Sequence, residues 1–344
     1  MTPSESPRFS VIIGTYNRRA YVLDALASVH AQTCPSFEVI VSVDGSTDGT
    51  LEAVRSAYPD VTVIEQPNLG RSIAVNRAAL AARGDFLCFL DDDDLWHPEK
   101  LERIAEFLDQ NPTCQALRHV FWYFSSDAQG HTSYATVDFL AEDFAACMRA
   151  VDGAPEPKND FAYLDIESDS YGLLLERNRG AYSASCVRRD LYFAVGGLSP
   201  AQSSADDWSL FLNVARVTPW HTLWLPLGFQ RLHGDQSSSD ALAGVRILAA
   251  KGNAWLAGRP LPHRISREEH VVAMQRYART QRDEIRAFRW QAVKLRDWRS
   301  LQQITALGDA LLPRRRDRLA ARLPMPLVWW SRRLTRRPLS SQIR

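Results

Sequence analysis

The first hundred residues alternate short apolar runs with longer stretches in which apolar residues recur at helical spacing. Runs rich in β-branched and aromatic residues predict strands at residues 9–13, 37–43, 61–65 and 86–90. The segments between them predict helices at residues 21–32, 50–57 and 72–82. Strands that alternate with helices are typical of an α/β protein with a mostly parallel sheet, and we expect each strand to be buried on both faces.

The pattern loosens after this block. An acidic stretch containing Pro and Gly at residues 125–179 predicts a long insertion beside the ligand site, and a second ordered block follows at residues 182–231. The spacing of apolar residues from Met274 to Leu295 predicts one long amphipathic helix. We therefore predict a main domain at residues 1–239, a helical extension at residues 240–310 and a basic tail at residues 311–344.

Polar residues follow three of the predicted strands. Thr15, Tyr16 and Asn17 follow the first strand, and Asp44 opens a Gly-Ser-Thr-Asp-Gly turn after the second. Four consecutive aspartates follow the fourth strand, at residues 91–94. In open α/β sheets the ligand crevice lies beyond the carboxyl ends of the strands, so these residues are the first candidates for a binding site.

The four adjacent carboxylates require a positive charge among them, because they otherwise repel one another. Hard oxygen ligands suit Mg²⁺ or Mn²⁺ held partly by substrate phosphates. Capping of the helix that begins near Pro98 is the alternative, but a helix N-terminus needs only one or two acids. The chain also lacks a G-x-G-x-x-G or P-loop motif for phosphate. We therefore predict that a cation holds a diphosphate at this edge.

Several ordered segments together resemble glycosyltransferase family 2. They are Phe9-Ser-Val-Ile-Ile-Gly-Thr-Tyr-Asn17, Val43-Asp-Gly-Ser-Thr-Asp-Gly-Thr50, Asn68-Leu-Gly70, Gly84 to Lys100, Tyr182 to Asp190 and Asp206-Asp-Trp-Ser-Leu-Phe-Leu212. The resemblance implies the GT-A fold, here with a helical C-terminal extension. It also implies an inverting, metal-dependent enzyme that moves a sugar from a nucleoside-diphosphate sugar to a hydroxyl of a saccharide or lipid-linked acceptor.

The resemblance implies roles for individual residues. The residues implied to bind the donor are Thr15, Tyr16, Asn17, Asp44, Asn68, Gly70, Arg77, Asp91 and Asp92. The implied ligands of Mg²⁺ or Mn²⁺ are Asp91, Asp93 and His233, with Asp94 as a further candidate because the register of the Asp-x-Asp pair stays open. The chain departs from the family pattern at Ala74-Val-Asn76, where the usual arginine is displaced to Arg77.

By the same resemblance the catalytic base belongs to the acidic pair before Trp208, and we assign it to Asp207, with Asp206 as a secondary candidate. Inversion needs one carboxylate within hydrogen-bond reach of the acceptor hydroxyl, on the sugar face opposite the leaving diphosphate. A retaining hydrolase would instead pair two carboxylates about one bond. Helix capping is the alternative role for both acids.

Charge is unevenly distributed along the chain. The formal net charge is +1, yet residues 311–344 contain ten arginines and one acid. Arginines interleaved with Trp329 and Trp330 predict contact with an anionic membrane surface, with a disordered solubilising tail as the alternative, and nucleic acid is not the expected partner. The five cysteines are scattered, which favours a reducing compartment. We expect a cytoplasmic enzyme at the inner membrane face, acting in surface polysaccharide, lipopolysaccharide or glycolipid assembly.

Two rival functions remain at this stage. A nucleotidyltransferase that makes sugar nucleotides would also be α/β and metal-dependent, but it should carry a glycine-rich loop with a basic residue where this chain has Gly14-Thr-Tyr-Asn17. A non-catalytic member of the same fold that binds glycan or membrane is the other rival. It would bind nucleotide without depending on Asp207.

Overall fold

The computed structural model describes residues 6–126, 132–133, 170–176, 181–200 and 206–233, together with positions 289, 298, 302 and 305. The chain divides into two compact units, one of Met1–Leu174 with Asn178–Gln236 and the other of Leu175–Arg177 with Ser237–Arg344. The candidate site lies within the first unit. Most of the predicted insertion, the helix predicted from Met274 to Leu295 except position 289, and the basic tail lie outside the described residues.

The helices and strands follow the predicted alternation. In chain order they are β1 (Phe9–Thr15), α1 (Arg19–His30), β2 (Phe37–Asp44), α2 (Thr50–Ala57), β3 (Thr62–Gln66), α3 (Arg71–Ala81), β4 (Phe86–Asp91), β5 (Leu95–Trp96), α4 (Lys100–Gln110), β6 (Ala116–Ser126), β7 (Thr132–Ser133), α5 (Ser170–Glu176), a 3-10 turn (Tyr182–Ala184), β8 (Ser185–Arg188), α6 (Arg189–Ala194), α7 (Asp206–Ala215) and β9 (His221–Leu232).

The described strands form one sheet in the order β3-β2-β1-β4-β8-β6-β9-β5, with β7 paired to β6. The first four strands along the chain run parallel to one another, and α1, α2 and α3 supply the crossovers between them. Strand β8 then pairs antiparallel with both β4 and β6. The predicted α/β fold is confirmed, and the later strands add antiparallel pairs to the parallel half.

Burial explains why the parallel half is stable. Strands β1, β2 and β4 consist almost entirely of buried residues, because helices cover the sheet. The prediction that every strand is buried on both faces is wrong for β3, in which Thr62 and Glu65 are exposed. Strand β3 lies at the edge of the sheet, so fewer neighbours cover it.

The topology brings distant segments to one edge of the sheet. Strands β1, β2 and β4 all end there, at Thr15, Asp44 and Asp91. Strand β9 runs parallel to β6 and pairs with the short β5, which carries its last residues to the turn after β4. Within the part of the chain that the structure describes, no helix has both the length and the apolar character to span a membrane.

We predict that Gly45 is needed for the close approach of two loops at this edge. Gly45 has φ +74°, and a Cβ atom there would lie 2.5 Å from the backbone nitrogen of Asn68. We expect Gly45→Ala to lower the free energy of unfolding by about 3 kcal/mol, because a backbone clash adds to the cost of a left-handed residue. Urea denaturation measures the change.

Gly70→Ala is the matched control. Gly70 also has a positive φ, +98°, but a Cβ there would meet no atom within 4 Å. Its substitution should therefore cost only the conformational strain, about 1 to 2 kcal/mol. Equal losses in the two variants would contradict the role assigned to the Gly45 contact.

Candidate active site

Six aspartates gather at the carboxyl edge of the sheet, and two arginines lie among them. The aspartates come from the end of β4 and the start of α7: Asp91, Asp92, Asp93, Asp94, Asp206 and Asp207. The arginines are Arg18, directly before α1, and Arg71, the first residue of α3. These side chains supply the positive charge that the run of four carboxylates requires.

Arg18 bridges two of the four consecutive aspartates. Its Nη1 atom lies 3.0 Å from Oδ1 of Asp92 and 2.5 Å from Oδ2 of Asp93. Burial raises the pKa of Asp92 to about 6, and the nearby Asp93 adds to this, although Arg18 and hydrogen bonds from Thr15 and Arg18 act in the opposite direction. Both carboxylates are buried, so this contact is only weakly screened by water.

Arg71 bridges Asp91, the first of the four consecutive aspartates, to Asp206. Its Nη2 atom donates to Oδ1 of Asp91 at 2.8 Å, and its Nη1 atom donates to both carboxylate oxygens of Asp206 at 2.7 and 2.8 Å. Burial raises the pKa of Asp91 above its ordinary value, and the adjacent Arg71 offsets only part of this increase. One side chain therefore connects the end of β4 to the start of α7.

Asp94 faces the protein interior. Its carboxylate accepts hydrogen bonds from the Ser183 hydroxyl at 2.5 Å and from the backbone N–H of Arg231 at 2.9 Å. Burial and the neighbouring carboxylates of Asp93 and Asp91 raise its pKa well above the ordinary value. Both oxygens of Asp94 are therefore engaged in holding the turn after β4.

Asp93 and His233 form the pair that best fits a metal ion. Nε2 of His233 lies 2.9 Å from Oδ2 of Asp93, which is close to the separation of about 3 Å between adjacent ligands in an octahedral site with bonds near 2.1 Å. Asp91 instead turns toward Arg71. Among the described residues no three His, Cys, Asp or Glu side chains form a metal-binding group. Asp93 and His233 are therefore the two side chains here that could hold a metal ion, and a diphosphate would have to supply the other ligands.

Asp44 lies in a separate hydrogen-bond network at the end of β2. Its carboxylate accepts from Nε2 of Gln66 at 2.6 Å and from the backbone N–H groups of Leu69 and Gly70 at 2.8 and 2.9 Å. Arg77 donates to Oε1 of Gln66 at 3.1 Å, so it reaches Asp44 only through Gln66. The network fixes the loop before α3, in which Asn68 and Gly70 are exposed.

Asn17 joins the loop after β1 to the loop after β2. It adopts a left-handed backbone conformation, φ 52°, which Asn tolerates better than most residues. Its side-chain oxygen accepts from the backbone N–H of Thr47 at 2.8 Å, and its own N–H donates to the Ser46 hydroxyl at 2.9 Å. Beside it Thr15 is buried and Tyr16 is 46% exposed, so the aromatic ring is available to a ligand.

The two acids at the start of α7 have different surroundings. Asp206 is buried and accepts from Arg71, from the Ser72 hydroxyl at 2.8 Å and from the backbone N–H of Asp207 at 3.0 Å. Asp207 is only partly buried, and one of its oxygens accepts from the backbone N–H of Trp208 at 2.6 Å. Burial and then the carboxylate of Asp206 raise the pKa of Asp207 to about 6. This contrast favours Asp207 over Asp206 as a group that exchanges a proton.

Three arginines of the site were absent from the sequence prediction. Arg18 follows Asn17, Arg71 follows Gly70, and Arg231 lies two residues before His233. Arg231 is buried and donates through Nε to the backbone oxygen of Asp93 at 2.8 Å. Their place in the sequence could have identified these arginines, because each lies within two residues of a predicted site residue.

Comparison with known proteins shows what this chain is similar to. Residues 10–151 match glycosyl transferase family 2. An uncharacterised glycosyltransferase of Haemophilus influenzae is 27% identical over 232 residues, which cover 67% of this chain and 70% of that protein. The uncharacterised glycosyltransferase alr2836 of Nostoc sp. is 34% identical over 145 residues, 41% of this chain, and the aligned part spans only 45% of its length.

A solved structure supports the fold. The mannosyltransferase PcManGT from Pyrobaculum calidifontis, in complex with GDP-Man and Mn²⁺, is similar with a TM-score of 0.55 and 19% identity, covering 96% of this chain and 81% of its own. At this identity the likeness bears on the fold alone, and it agrees with the mixed α/β sheet described above. Residues 10–151 therefore match glycosyl transferase family 2 on a GT-A fold, and these comparisons support a transferase.

Proposed function

We propose that the chain is an inverting, metal-dependent glycosyltransferase that moves a sugar from a nucleoside-diphosphate sugar to a hydroxyl of a saccharide or lipid-linked acceptor. The observation that carries this proposal is that Arg71 joins Asp91, at the aspartate-rich end of β4, to Asp206, the neighbour of the partly buried Asp207. A base and a phosphate-binding edge on one face of a sheet are the two parts that sugar transfer from a diphosphate needs.

The donor lies, in this proposal, across the ends of β1, β2 and β4. The loops at Asn17 and Asp44 receive the nucleoside, since both are held rigidly by hydrogen bonds to neighbouring loops. Arg18 lies between those loops and Asp92, so its guanidinium is placed to bind diphosphate oxygens when a donor arrives. The mannosyltransferase that is similar in fold was solved with GDP-Man, which supports a sugar nucleotide as the ligand.

Asp207 is the proposed general base. As the acceptor oxygen forms its bond to the anomeric carbon, the bond from that carbon to the diphosphate breaks, and the acceptor proton passes to the Asp207 carboxylate. A single base on the side opposite the leaving group gives inversion of configuration. The raised pKa of Asp207, about 6, suits a group that must accept a proton near neutral pH.

Asp93 and His233 are the residues proposed to hold Mg²⁺ or Mn²⁺. When bound, such an ion would offset negative charge on the leaving diphosphate. The mannosyltransferase similar in fold was solved with Mn²⁺, which supports a divalent ion in this fold. The protein's own contribution is the fixed spacing of the two ligands, which Arg231 maintains by binding the Asp93 backbone.

The cellular setting follows from sequence features. The arginine-rich tail at residues 311–344 would hold the enzyme at an anionic membrane surface, at the inner face in the cytoplasm, where lipid-linked acceptors of surface polysaccharide, lipopolysaccharide or glycolipid assembly are found. Part of this setting rests on analogy with the family. Vesicle flotation of the full chain and of a chain without residues 311–344 distinguishes a membrane-binding tail from a solubilising one.

Replacing Asp207 tests the enzyme assignment directly. In an assay of nucleoside diphosphate release from a panel of sugar nucleotides, Asp207→Asn should lower kcat by about 10³, because the base contributes roughly that factor. Nucleotide binding should be retained. Asp190→Asn is the control, since Asp190 is an exposed acid in the first turn of α6. If Asp207→Asn releases diphosphate at the wild-type rate, Asp207 is not the base, and if the wild type itself releases none, the chain is a binding module and the proposal fails.

The pH dependence of kcat gives a second test of Asp207. The base must be deprotonated, and its pKa is raised to about 6, so kcat should rise with pH, reach half its maximum near pH 6 and level off above pH 7. An ordinary exposed aspartate would already be deprotonated at pH 5. The measurement uses saturating donor and metal, and a rate that is constant between pH 5 and 8 would contradict the assignment.

Replacing His233 tests the metal site. His233→Ala should raise the Mn²⁺ concentration needed for half-maximal activity by about tenfold, since one of two protein ligands is lost. His30→Ala is the matched control, because Nε2 of His30 pairs with Asp60 at 3.0 Å in the same way but away from the aspartate-rich edge. An unchanged Mn²⁺ requirement in His233→Ala would remove His233 from the proposed metal ligands.

A further inference from the structure

We propose that Arg71 is a positioning residue, which fixes the catalytic base by holding Asp91 and Asp206 on one guanidinium group. This inference rests on the proposed function, since it concerns the same transfer reaction. It assigns Arg71 no contact with substrate. Its role is to set the distance between the donor side of the site, at Asp91, and the acceptor side, at Asp207.

The guanidinium is held in a defined plane. Its two terminal nitrogens point to different carboxylates, with Nη1 on both oxygens of Asp206 and Nη2 on Asp91. Its carbon lies 4.2 Å from the centre of the Tyr182 ring, and Tyr182 is buried. A planar cation stacked on an aromatic ring has little freedom to rotate, so the two carboxylates are kept in a fixed relation.

Asp206 and Asp91 each make further hydrogen bonds that fix the backbone on their side of the bridge. Asp206 also accepts from the Ser72 hydroxyl and from the N–H of Asp207, so its position sets the backbone at the base. On the other side, the backbone N–H of Asp91 donates to the Ser183 hydroxyl at 2.9 Å. Arg71 and Asp206 are 135 residues apart in the chain, and the guanidinium joins α3 to α7 across that separation.

Loss of the positive charge would separate the two halves of the site. Asp91 and Asp206 would then be like charges near one another with their shared counter-charge removed, and the nearby Asp207 would add a third. The first turn of α7 would shift away from β4 and take Asp207 with it. A lysine carries the same charge but not the fork, so it can hold one carboxylate well and not both.

The test compares Arg71→Met, Arg71→Lys and Ser72→Ala with the wild type. For Arg71→Met we expect kcat to fall by about 10², which is the effect of roughly 1 Å misplacement of a reacting group, while the donor KM and the affinity for the nucleoside diphosphate change by less than about threefold. The kcat of Arg71→Lys should be about tenfold higher than that of Arg71→Met. Arg55→Met is the control, because Arg55 pairs with the exposed Glu65 on the far side of the parallel half.

Two kinetic results would overturn the proposal. If Arg71→Met retains kcat, the base does not depend on the bridge. If it instead lowers the affinity for the nucleoside diphosphate by more than tenfold while kcat is retained at saturation, Arg71 binds the donor and does not act by positioning. Should Arg71→Met fail to fold, Arg71→Lys and Ser72→Ala give the same comparison with smaller expected losses.

Amide hydrogen exchange separates this proposal from the proposed function. In Arg71→Met, amides of α7 (Asp206–Ala215) should exchange at least about tenfold faster than in the wild type, whereas those of β1 (Phe9–Thr15) should not change. Unchanged exchange in α7 would refute the positioning role. If the wild type shows no turnover with any sugar nucleotide, the proposed function fails, and the exchange result still decides whether Arg71 fixes the start of α7.

Discussion

The structure of the site depends on charge compensation between aspartates and arginines at the carboxyl edge of the sheet. Arg18 pairs with Asp92 and Asp93, and Arg71 pairs with Asp91 and Asp206. Each arginine begins or directly precedes a helix that follows a parallel strand or its loop. The fold therefore places guanidinium groups between carboxylates whose pKa burial would otherwise raise further. Phosphate oxygens can replace these carboxylates as hydrogen-bond acceptors of the same guanidinium groups.

Buried residues around Ser183 support the turn that contains the four consecutive aspartates. Ser183 donates to Asp94, and its backbone oxygen accepts from Nζ of Lys100 at 2.7 Å and from the indole N–H of Trp96 at 3.1 Å. Lys100 is fully buried and lies 3.4 Å from the centre of the Trp96 ring, and burial lowers its pKa to about 7. Trp96 and Lys100 therefore hold Ser183 in place, and Ser183 in turn holds the residues Asp91 and Asp94 by hydrogen bonds.

The sequence predicted the parallel half of the fold and the ends of its strands at which the candidate residues gather, but not the contacts among those residues. Strands β1, β2 and β4 are buried apolar runs bounded by turns, and such runs carry a strong local signal. Strand β6 is missing from the sequence predictions, although its run Val120-Phe-Trp-Tyr-Phe124 is rich in residues that favour strands. The bridges of Arg71 to Asp206 and of His233 to Asp93 span 135 and 140 residues. No local pattern reports such contacts, and the distinction between Asp206 and Asp207 follows from them.

The measurement that tests the account most directly is isothermal titration of the wild-type chain with nucleoside mono- and diphosphates, with and without Mn²⁺. If the aspartate and arginine edge binds a diphosphate together with a cation, a diphosphate should bind tightly only when Mn²⁺ is present, and a monophosphate should bind much more weakly. Asp93→Ala should abolish the Mn²⁺ dependence, because Asp93 contacts both Arg18 and His233. Binding of neither nucleotide under any condition, or equal binding of both without the cation, would contradict the account.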